Sequence, residues 1–109
     1  MICVMIRWVA NPFRGDAFAE GWRPAAEAAL DYGATYWAFY RSLDGLLDFV
    51  QIAHFPTKAA WERYWYSDEI GDKRAELSGY YQVPLLPAVY LITGEGKALK
   101  PSPAPAAPS

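Results

Sequence analysis

One histidine, eight tyrosines and five tryptophans carry most of the chemistry open to this chain of 109 residues. Histidine is the side chain whose ordinary pKa lies nearest neutrality, which makes His54 the candidate general base. A strand-end histidine bonded to backbone explains it equally well. Alternation puts His54 on one face with Val50 and Ile52; if that face meets the helices, His54 stands at the edge of a pocket. Trp61, Tyr64 and Trp65 follow at helical spacing, with Ala60 on the same arc and Glu62, Arg63 and Tyr66 on the other side. That stripe either packs a core or lines a pocket; Trp65, nearest the helix end, is the strongest pocket candidate. Tyr36, Tyr40 and Tyr90 could orient a phenolic or carbonyl ligand, or serve as large packing residues with wet hydroxyls. Arg7 and Gln51 are expected to pair on the sheet face turned away from the helices. No nucleophile elbow, phosphate loop or metal-ligand spacing occurs, so no metal site is expected.

The elements that must position these groups can be read along the chain. Residues 2–10, short and rich in β-branched and aromatic side chains, predict a first strand. Its even members, Ile2, Val4, Ile6 and Trp8, are uniformly apolar and predict the helix-facing side. Residues 17–32 have helical spacing, with Asp16 as N-cap, Gly33 as C-cap, and Gly21 and Pro24 predicting a kink or a two-part helix. Residues 34–42 and 46–55 read as two strands joined by Leu43-Asp44-Gly45. Pro56 stops the strand, Thr57 caps the next helix, and helical character runs to about residue 77 with a break near Ser67-Asp68 or Gly71. Residues 80–93 hold the last strand; Pro84 and Pro87 confine its regular part to 88–92. The order β-α-β-β-α-β predicts an α+β, ferredoxin-like domain over residues 1–94, a four-stranded antiparallel sheet with its helices on one face. Residues 95–109, rich in proline and alanine, predict a disordered tail.

Composition narrows the function. Net charge is -2 and no basic patch exists, which argues against nucleic acid as a partner. Cys3 is the only cysteine, so no disulfide framework forms within one chain, and a reducing, cytoplasmic location fits. The N-terminus reads as a strand and not as a signal peptide, and no apolar run reaches the length of a membrane span. Aromatic residues make up 17% of the chain. Cys3, Met5 and Val9 on the odd side of the first strand are too apolar for water. Both faces of the sheet therefore require cover, and a second copy packed sheet to sheet is the expected solution, a homodimer.

The run FAEGWRPAAEAALDYGATYWAFYRSLDGLLDFVQIAHFPTKAAWERYW resembles the antibiotic biosynthesis monooxygenases, a family of dimeric α+β barrels. The resembling features are Trp22 in the first helix, Gly33 before a strand, the hairpin Arg41 to Gly45, a ring residue near the end of the next strand, and Ala60-Trp61 after a small-residue turn. The likeness covers about residues 2 to 93. It implies small dimers with pockets between helices and sheet. Some members oxidise aromatic polyketides with molecular oxygen and neither metal nor flavin; others degrade haem, isomerise or cyclise small molecules. Carried onto this sequence, Trp61 or Trp65 matches a second-helix tryptophan. Asn11 lies later on the first strand than the haem-degrading branch places its asparagine, and Arg7 sits where that residue is expected. No histidine follows Trp65, which departs from that branch, and the fourth strand lacks the oxidases' arginine. The expected function is a cofactor-independent monooxygenase for an aromatic, polyketide-type molecule. His54, Tyr64 and Trp65 would be catalytic; Trp61, Tyr36, Tyr40, Tyr90, Asn11 and Arg7 would bind substrate. The alternatives are a cyclase or isomerase on the same fold, or a non-catalytic dimer that binds a small molecule or partner.

Overall fold

The computed structural model describes residues 1–99. Its elements are β1 (Ile2–Val9), α1 (Gly15–Glu27) running into a 3-10 turn (Ala28–Tyr32), β2 (Tyr36–Arg41), β3 (Asp48–Phe55), α2 (Lys58–Trp65), α3 (Asp68–Glu76) and β4 (Ala88–Leu91). The strands form one antiparallel sheet in the order β2-β3-β1-β4. The helices cover one face, as the ferredoxin-like order requires. Most of the predicted tail, residues 100–109, lies outside the described residues.

Local chemistry explains most boundaries. Thr57 caps α2 through its hydroxyl, which accepts from Ala60 N at 3.1 Å. Ser67 does the same for α3, accepting from Ile70 N at 3.2 Å, and so fixes the break between them. Gly33 ends the 3-10 turn at φ 96°, a left-handed conformation that any residue with a Cβ resists. The helix start differs from expectation. Arg14 stands at the N-cap, with no side-chain cap, and Asp16 falls in the first turn, where its carboxylate meets Arg41 at 2.8 Å and suits the helix dipole. The first helix is two-part, as Gly21 and Pro24 suggest: α-helix passes through Pro24 and tightens to 3-10 at Ala28. The hairpin connection is longer than three residues. Ser42 Oγ accepts from Asp44 N and Gly45 N, and this delays β3 to Asp48.

The core lies between helices and sheet. Val4, Ile6 and Trp8 from β1 meet Phe18 and Trp22 from α1, Phe49 and Phe55 from β3, and Trp61, Tyr64 and Trp65 from α2, all buried. β4 pairs only with Ile2 to Met5 of β1, a short edge strand behind its two prolines.

Candidate functional site

The sheet divides the candidate residues into two groups. On the helix side, Trp61, Tyr64 and Trp65 form the predicted stripe. Trp61 stacks on Trp65 with ring centroids 5.1 Å apart, and Arg74 lies over the Trp65 ring at 4.2 Å. Trp8 and Trp22 fill the space on the far side of Trp65, at 6.2 and 6.4 Å between centroids. Tyr66, off the stripe at the helix end, is 73% exposed.

Gln51 is the centre of this interior. It is 2% exposed, and its position corrects the expected pairing with Arg7. The register sets Gln51 opposite Ile6, and directly opposed residues of an antiparallel pair point the same way, so Gln51 shares the buried side. Arg7 opposes Val50 on the other face. The carboxamide oxygen of Gln51 accepts from Trp8 Nε1 at 3.1 Å and Trp22 Nε1 at 2.9 Å. Its nitrogen donates to the Tyr64 hydroxyl at 3.1 Å, and that hydroxyl donates to Ala25 O at 2.7 Å. Among the described residues no buried side-chain polar atom lacks a partner. Burial drives the Tyr64 phenol far above its ordinary pKa, against a smaller opposing effect of the Gln51 hydrogen bond. A phenol so held stays protonated and donates a hydrogen bond; it is no base.

The remaining candidates, Asn11 apart, stand on the open face. The condition set for His54 therefore resolves the other way: the face it shares with Val50 and Ile52 points away from the helices. The pairings Tyr36 with His54, His54 with Cys3, and Cys3 with Tyr90 place these four side chains in one row across all four strands. The Tyr36 ring lies against the imidazole at 4.9 Å. The Tyr36 hydroxyl reaches the Tyr40 hydroxyl at 3.3 Å, a contact that raises the Tyr40 pKa. A hollow of about 690 Å³ opens beside His54, lined by Thr35, Tyr36, His54, Glu95, Gly96 and Lys97. That is ample for a ligand of several rings. Arg7 separates two smaller hollows further along the face, about 470 Å³ towards Tyr40 and 270 Å³ towards Tyr90. A third, about 340 Å³, touches the outer rims of Trp61 and Trp65 against Leu85 and Pro87. Asn11 joins neither group: its side chain donates to Gly79 O at 2.6 Å and ties the loop after β1 to the turn after α3.

Sequence reasoning missed Thr35, Glu95 and Lys97 at the hollow. Glu95 and Lys97 sit in a stretch whose composition signals no structure, although the alternation of β2 and β3 already aligned Tyr36 with His54. Among the described residues no three of His, Cys, Asp and Glu cluster closely enough to hold a metal ion. Among them, too, no helix is long and apolar enough to cross a membrane.

No protein-family model and no curated relative matches the sequence. Solved structures do match. A Nitrosomonas europaea protein assigned as an antibiotic biosynthesis monooxygenase superposes with a TM-score of 0.78 at 16% identity, over 86% of this chain and 100% of its own. One from Deinococcus radiodurans, assigned likewise, gives 0.76 at 14% over 93% and 100%. A variant of SnoaB, a cofactor-independent oxygenase from Streptomyces nogalater, gives 0.73 at 13% over 86% and 94%. Identities this low speak to architecture alone. The chain has the fold of the antibiotic biosynthesis monooxygenases.

Proposed function

We propose that this protein is a monooxygenase for an aromatic, polyketide-type small molecule, working without metal or flavin, with the substrate held on the open sheet face beside His54. One observation carries this reading: a potential base, the Tyr36 phenol and a hollow of about 690 Å³ converge there. The reaction follows from those groups. His54 takes a proton from an acidic ring carbon, and Tyr36 orients the neighbouring oxygen. The resulting carbanion passes electrons to molecular oxygen and forms a carbon–oxygen bond, and protonated His54 returns its proton to the peroxide anion. The hydroperoxide then loses water and leaves a carbonyl, so one oxygen atom enters the product and the other leaves as water. Cyclisation or isomerisation would use the same proton transfer without oxygen. Placed this way, Tyr64, Trp61 and Trp65 shape the scaffold behind the sheet, and Arg7, Tyr40 and Tyr90 extend the binding face.

The working form in this reading is a cytoplasmic homodimer. Met5, Val50 and Ile52 make the open face too apolar to stay in water, and a second sheet laid on it encloses the Arg7 hollows and leaves the His54 hollow at the mouth. A second reading rests on the filled interior: with Gln51 satisfied by Trp8 and Trp22, and Trp61 and Trp65 buried in the same core, the space between helices and sheet is packed with side chains, which suits a non-catalytic binding dimer with the stretch from Lys97 as tether. Aerobic incubation with anthrone, with and without chelator, separates the two. Oxygen uptake and quinone formation that survive chelator and fall at least a hundredfold in His54→Ala support the oxygenase. No turnover, or turnover that His54→Ala leaves unchanged, removes it.

A further inference from the structure

We propose that Glu95 is a positioning residue for His54, a carboxylate that holds the imidazole proton on Nδ1 and leaves Nε2 as the nitrogen that faces substrate. This rests on the reading of His54 as the base. The Glu95 carboxylate lies 3.5 Å from His54 Nδ1, ion-pair range and slightly long for a hydrogen bond. Such contacts commonly tighten once substrate is bound. Among the described residues the His54 side chain makes no hydrogen bond, so nothing else there selects its tautomer. An anion beside one ring nitrogen favours the proton on that nitrogen, and the other is left with its lone pair.

The surroundings of the imidazole are compatible with this assignment. Tyr36 packs on it from β2, Cys3 lies opposite it on β1, and Glu95 and Lys97 face the same hollow from the segment after β4. Glu95 is the one carboxylate in that set. Its charge also reaches Cys3, whose thiol pKa is raised first by burial and then by Glu95. That shift favours the protonated thiol.

Because His54 is the only histidine, its ring nitrogens can be read without ambiguity by ¹⁵N NMR on the full chain. At a pH where the ring is neutral, the wild type is expected to show the proton mainly on Nδ1. Glu95→Ala should move the proton mainly to Nε2, and Glu95→Asp should restore at least part of the wild-type pattern. On anthrone, Glu95→Ala should lower kcat about tenfold with KM within twofold, and Glu95→Asp should recover part of that loss. Identical ring signals in wild type and Glu95→Ala overturn the proposal whatever the activity. A normal tautomer response in a protein that does not oxidise anthrone upholds the positioning role and rejects the oxygenase. Glu95 is 57% exposed, so its replacement leaves the core intact.

Discussion

Replacing Gln51 by leucine should cost more stability than any other polar-to-apolar change in the chain. Leucine is one heavy atom smaller and apolar, so the main loss is in hydrogen bonds. The carboxamide oxygen serves two indole donors, from Trp8 and Trp22, and the nitrogen serves Tyr64. Leucine leaves both indole N–H groups buried without an acceptor, at about 1–3 kcal/mol each. Tyr64 keeps its bond to Ala25 O and loses only its donor. Extra apolar burial returns about 1 kcal/mol. The net is about 1–5 kcal/mol, a large part of the roughly 5–15 kcal/mol that holds a domain together. Urea unfolding followed by tryptophan fluorescence, at one fixed protein concentration, reads the change directly. With a slope of about 1.5 kcal/mol per molar urea, the midpoint should fall by roughly 0.7–3.3 M. Trp22→Phe removes one donor and leaves the oxygen with Trp8, so it should cost less, about 1–2 kcal/mol with its packing loss included. The double variant should lose less than the sum, because Trp22→Phe removes one of the donors that Gln51→Leu strands. A midpoint shift below about 0.3 M for Gln51→Leu, or simple additivity in the cycle, would refute the hub.

Stability at alkaline pH reports the buried phenol. Burial raises the Tyr64 pKa above its value in the unfolded chain, so stability is complete below the ordinary phenol range and is lost as pH rises through it. From about pH 10 upward, folding should weaken by as much as about 1.4 kcal/mol per pH unit for this group, and Tyr64→Phe should remove that slope. Urea midpoints at pH 9, 10 and 11 check it; equal slopes in the two proteins would count against a buried, protonated Tyr64. On the other face, Ile52→Glu puts like charges together across the proposed interface at a cost of several kcal/mol, and sedimentation should show a monomer where the wild type is a dimer. A wild-type monomer at micromolar concentration would end the dimer proposal.

The fold was legible because several short patterns agreed. The even members of β1 are all apolar, Thr57 and Ser67 are placed to cap, and Trp61, Tyr64 and Trp65 repeat at helical spacing. The site was less legible because β3 alternates without contrast. One row is Phe49, Gln51, Ala53 and Phe55, and the other is Asp48, Val50, Ile52 and His54. Past Asp48 at the strand's start, each row is apolar with one polar member, Gln51 or His54, so the contrast that would mark the buried side is weak. Pairing decides it: Gln51 lies opposite Ile6, and His54 opposite Cys3. Local sequence holds neither partner, nor the reason the buried slot takes glutamine. That reason is chemical. Trp8 and Trp22 each bring an indole N–H, a donor with no acceptor of its own, into a space sealed from water. Gln51 offers the oxygen for both and spends its nitrogen on Tyr64. Histidine in that slot would offer at most one acceptor for two donors. The same parity that makes Gln51 the core's acceptor therefore puts His54 on the accessible side. There its neighbours are Tyr36, Cys3 and a carboxylate from beyond the last strand, and a ligand can reach it without opening the core.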